Sequence, residues 1–105
     1  MRPVTVKRPV PGHGGSAFEA QGAAVRADVQ PMSGDMALRM YGLEPGDMRR
    51  FLADVETDIR PGDGVCVDVG ADGAPDFRAV YVAKWTRHTE AHLRFIPPAQ
   101  RGMDR

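Results

Sequence analysis

Apolar and polar residues alternate along most of this chain, with one short exception near its middle. Val4-Thr-Val-Lys-Arg8 alternates as a half-buried strand does, and Pro9 and Pro11 close it because proline cannot donate to a ladder. Ala24 to Gln30 carries the clearest period of two, with Val25, Ala27 and Val29 on one side and Arg26, Asp28 and Gln30 on the other. A third strand is predicted from Met48 to Glu56, with Phe51, Ala53 and Val55 facing inward. Val65, Val67 and Val69 mark a fourth, Phe77 to Trp85 a fifth and Glu90 to Ile96 a sixth, each bounded by turn residues such as Pro61-Gly62 and Asp72-Gly73. Pro97-Pro98 stops the last strand.

The exception is MSGDMALRMYGLEPGD, residues 32–47. Ser33 is a good N-cap, Asp35 suits the positive end of a helix dipole and Gly42 stands where a left-handed C-cap belongs. These signals predict a helix from Gly34 to Tyr41. Met32, Met36, Met40 and Leu43 fall on one stripe, and Leu38 and Tyr41 widen it sideways. So short a helix is marginal alone and needs a surface to dock on. It either caps an open end of the β-domain or offers an adaptable methionine-rich interface to another chain.

The fold expected is mainly β: a small six-stranded antiparallel barrel or sandwich with one short helix inserted after the second strand. Residues 1–98 form its single domain. They include a flexible loop at 11–23, where Gly12, His13, Gly14 and Gly15 cluster ahead of Phe18, and residues 99–105 are expected to fray.

Composition narrows the function. The chain has 105 residues, enough for one core, and its 14 basic and 14 acidic residues cancel. Neutrality argues against a generic binder of nucleic acid or membrane surfaces. The lone cysteine, Cys66, excludes an intramolecular disulfide, and the N-terminus lacks the apolar run of a signal peptide, so cytoplasmic synthesis is expected. Charge is uneven, however. Seven acids (Asp54, Glu56, Asp58, Asp63, Asp68, Asp72 and Asp76) share their stretch with one base, Arg60, which predicts either solvated turns or an acidic face.

No catalytic constellation emerges. His88 and His92 are four apart, a spacing that suits a metal on a helix but has no special meaning in a turn and a strand. The glycine cluster lacks the Gly-Lys-Ser/Thr ending of a phosphate loop, Cys66 has no basic neighbour, and the aromatics are scattered. The expectation is a non-enzymatic chain with no cofactor and no metal.

Three segments, "VRADVQPMSGDMALRMYGL", "DIRPGDGVCV" and "YVAKWTRHTEAHLRFI", together with the strand and glycine loop before them, resemble the head–tail joining proteins of long-tailed phages, the head-closure or stopper family. The resemblance covers nearly the whole chain. It implies a small β-barrel with an inserted helix that forms a ring beneath the portal and adaptor, retains packaged DNA and docks the tail. The partners implied are further copies of the chain, portal, adaptor and tail proteins, and genomic DNA passing the channel, with no membrane. The location implied is the virion, reached from the host cytoplasm. On this reading the insert supplies subunit contacts through Met32, Met36, Leu38, Met40, Tyr41 and Leu43. The glycine loop reaches the channel, although either segment suits a gate. The alternative is an OB-like or SH3-like barrel acting as a nucleic-acid or peptide adaptor.

Overall fold

The computed structural model describes residues 1–12, 17–42 and 47–101. Strands β1 (Arg2–Lys7), β2 (Ala23–Pro31), β3 (Met48–Asp54), β4 (Gly64–Cys66), β5 (Phe77–Lys84) and β6 (His88–Phe95) close into a barrel in the order β1-β2-β3-β6-β5-β4. Every pairing is antiparallel. Helix α1 (Gly34–Tyr41) joins β2 to β3. Of the two architectures open to a mainly β chain of six short strands, the barrel is the one formed, and closing it removes the free edges an open sheet would leave.

Strand alternation decides what fills the interior. Ala27, Phe51, Ala53, Ala91 and Leu93 are almost wholly buried and point inward with Val4, Val65 and Phe77. Val25 and Val29 pack against this core from β2 as their spacing predicts. Small residues make room in the interior: Ala27 pairs with Ala53, and Ala91 stands opposite the Phe51 ring.

The wall is thinnest at β4, which is shorter than the valine alternation predicts. Its ladder stops at Cys66 because a side chain takes over: the Asp76 carboxylate accepts the N–H groups of Val67 at 2.8 Å and Asp68 at 2.9 Å. Gly64 is needed in this seam, since a Cβ there would lie 2.6 Å from Pro75 Cγ and 2.9 Å from the Phe18 ring.

Two expectations change. Of the loop expected at 11–23, residues 13–16 lie outside the described residues, and the chain on either side of them is paired: Val10 N–H donates to the Ala17 carbonyl, Glu19 N–H donates to the Arg8 carbonyl, and Pro9 bridges Phe18. The two ends of the segment thus run as a short hairpin, and Ala17 is buried. Of the tail expected to fray at 99–105, residues 102–105 lie outside the described residues, and the part that is described is ordered: Pro98–Gln100 forms a 3-10 turn. Beyond it the Arg101 Nε–H donates to the Ile96 carbonyl at 2.7 Å, with its guanidinium 4.9 Å from the centre of the Phe95 ring.

Candidate functional site: the helical insert and its seat

The capping residues act as the sequence predicts. Ser33 Oγ accepts the Met36 N–H at 3.1 Å, and Gly42 takes the left-handed conformation at φ 66°. Asp35 and Arg39 pair at 3.2 Å along the outer surface of the helix.

The face that α1 buries follows the methionine spacing only in part: Met32 and Met36 join the buried cluster, and Met40 does not. Met32 precedes the helix and belongs to the end of the β2–β3 ladder, where its N–H donates to the Met48 carbonyl. Within α1 Ala37 is the fully buried residue, and Met36 and Tyr41 are half-buried beside it on the same cluster. Met40 lies at the rim, 50% exposed, and Leu38 stands out at 66%. Leu43 lies outside the described residues. The seat is equally specific. Met48 is buried on β3 with a parity opposite to the inward-facing Phe51 and Ala53, so α1 rests on the outer wall of the barrel. It does not cap an open end; Met32, Ala37 and Met48 form a second small cluster separate from the barrel core.

A polar chain crosses this seat. The Tyr41 hydroxyl lies 2.7 Å from His92 Nδ1, His92 Nε2 lies 3.0 Å from Glu90 Oε2, and the same carboxylate oxygen accepts the Arg50 Nε–H at 3.1 Å. The hydrogen bond from Arg50 holds the Glu90 carboxyl below its ordinary range despite partial burial. An ionised Glu90 can only accept, so Nε2 carries a hydrogen; in the neutral ring Nδ1 then accepts the Tyr41 O–H. Burial, and next the neighbouring Tyr81, push the Tyr41 hydroxyl above its usual pKa, so it acts as a donor and not as a nucleophile. Tyr81 covers the imidazole, ring centres 4.6 Å apart, and His92 is 3% exposed.

The four-residue spacing of His88 and His92 does not point to this constellation: His88 is exposed at the β5–β6 turn beside Trp85, ring centres 6.5 Å apart. Two of the aromatics, Tyr41 and Tyr81, meet on His92 and form one seam across three elements. The only signal in the sequence was parity, since His92 alternates with Ala91 and Leu93 and must point outward.

The other predicted sites fare differently. Gly12 has a left-handed φ of 88°, but His13, Gly14 and Gly15 lie outside the described residues. Phe18 is packed on the barrel beside Gly64, with the Arg78 guanidinium 5.4 Å from its ring centre, so it is a wall residue and not part of a free channel loop. The acidic run does not make one face. Asp63 and Asp76 are buried, Asp58 pairs with Arg8 at 2.7 Å and with Arg60 at 3.3 Å, and Asp68 pairs with Arg2 at 3.2 Å. Asp54 caps the Glu56 N–H at 2.8 Å, and Glu56 and Asp72 are exposed. Cys66 is buried, and burial pushes its thiol upward, away from thiolate chemistry. Among the described residues no three potential ligands group together to hold a metal ion.

No family model, curated protein or solved structure matches this chain.

Proposed function

We propose that this chain is a structural head–tail connector of a tailed phage or prophage, a head-closure protein that joins a ring beneath the portal and adaptor, retains packaged DNA and docks the tail. The observation that carries this reading is the ridge made by Leu38 and Met40. A helix braced on the barrel by Ala37 and Tyr41 leaves two large apolar side chains substantially exposed to water. The half-exposed rings of Tyr81 and Trp85 on β5 and in the following turn add apolar surface of the kind enriched at protein interfaces. The near full-length resemblance in sequence supplies the assembly, and the closed barrel with a helix after its second strand is the architecture that resemblance implies.

The test is assembly. Purified chain is mixed with portal–adaptor complexes and imaged by negative-stain electron microscopy, with virions of the source phage or prophage analysed by mass spectrometry. An added ring below the adaptor, and the chain in mature particles, are the expected results. A chain that stays monomeric in the mixture and is absent from particles removes the proposal.

A further inference from the structure

The attachment of α1 to the barrel is unusually slight. The last backbone bond of the β2–β3 ladder runs from Met32 N–H to the Met48 carbonyl, and beyond it the backbone bonds of α1 and its caps are internal to the helix. The Asp35–Arg39 ion pair is internal too. Among the described residues, the Tyr41–His92 contact is therefore the one hydrogen bond that ties α1 to the rest of the molecule. The apolar part of the seat is small, with Met32, Ala37 and Met48 buried and Met36 and Tyr41 half-buried around them.

We propose that α1 is a latched flap, held closed by the Tyr41–His92 bond and able to open as a unit while the barrel stays folded. A helix of this length has little stability of its own, so its closed position depends on what it docks against. One latch bond and a shallow apolar contact put its opening at the low end of the free-energy range that local unfolding spans in a protein. Glu90 and Arg50 set the latch: Arg50 keeps Glu90 an acceptor, Glu90 fixes the His92 hydrogen on Nε2, and Nδ1 is left facing the Tyr41 hydroxyl. Opening uncovers Met32 and Met48, which no surface of the closed molecule presents, whereas Leu38 and Met40 are exposed in either position. The flap is a property of the monomer and goes beyond the connector reading.

The experiment is amide hydrogen exchange of the isolated chain, resolved by residue, on the wild type and on Tyr41→Phe. That substitution keeps the ring in its seat and removes only the latch bond. In the wild type the α1 amides, Ala37 and Gly42 among them, should be protected yet exchange well before Phe51, Ala91 and Leu93. Tyr41→Phe should speed α1 exchange on the order of tenfold, the loss of one partly buried hydrogen bond, and leave those barrel amides unchanged. Arg39→Ala, which breaks only the internal ion pair, should have a far smaller effect. Nitrogen chemical shifts of His92 should report a hydrogen on Nε2 and a lone pair on Nδ1. The proposal is overturned if α1 exchanges only with the whole barrel, or if it is unprotected in the wild type. It also fails if Tyr41→Phe leaves α1 unchanged or speeds helix and barrel alike.

Discussion

A carboxylate buried in a protein destabilises it unless its oxygens find donors, and two aspartates of the barrel wall meet that condition differently. Asp76 uses both oxygens on consecutive backbone N–H groups, continuing by side chain the strand that β4 abandons. Asp63 accepts the Arg60 N–H at 2.9 Å and pairs with Arg8, while burial raises its pKa. Asp76→Ala leaves two backbone donors near the core without a partner. It should cost about 2–4 kcal/mol in chemical denaturation, with Asp76→Asn intermediate because its amide keeps one acceptor oxygen. Glu90 gives a pH dependence with a definite sign. Its folded pKa lies below the ordinary 4.5, so its contribution to stability is present above that value and is lost as pH falls through the folded pKa. Asp63 works in the opposite sense in acid, because its raised pKa means the folded state takes up a proton more readily. Melting temperatures of wild type and Glu90→Gln should therefore converge as pH drops below about 4.5, the ordinary carboxylate value.

At the scale of elements, α1 separates two roles that its sequence runs together. Ala37 and Tyr41 dock the helix, whereas Leu38 and Met40 face away from the barrel. Leu38→Ser with Met40→Ser should shift the melting temperature by no more than a few degrees, since neither side chain is buried, and should abolish ring formation with portal–adaptor partners. Met36→Ser is a different experiment, because Met36 packs against Met32, Ala37 and Met48, and it should lower stability as well. Thermal melts and assembly assays on the same samples separate the two effects. Equal losses in both for the Leu38 and Met40 pair would make the ridge structural.

At the scale of the whole molecule, closing the barrel redistributes the charges that the linear chain segregates. The acidic run from Asp54 to Asp76 reads as one-signed because its cations lie elsewhere in the sequence. Arg2, Arg8 and Arg49 arrive from β1, the segment after it and β3 to pair with Asp68, Asp58 and Asp63. Closure also explains how a neutral chain of this size holds together. β1 pairs with β2 on one side and β4 on the other, so its N-terminal strand is locked by residues some sixty positions away.

Features that depend on neighbours along the chain were legible in the residues. Period-two alternation marked all six strands and the inward parity of Val25, Ala27, Phe51 and Ala53, and local capping chemistry set both ends of α1 at Ser33 and Gly42. The choice of a barrel over a sandwich needed the β1–β4 pairing, which no local pattern encodes. The face α1 buries was legible only in part, because Met32 and Met36 of the methionine stripe join the seat, whereas Ala37 and Tyr41 complete it and Met40 is left at the rim. The seam of Tyr41, Tyr81 and His92 brings together residues as much as 51 positions apart. Side chains so distant in sequence become partners only when the barrel closes, and that is why no local pattern reveals where the insert sits and what holds it there.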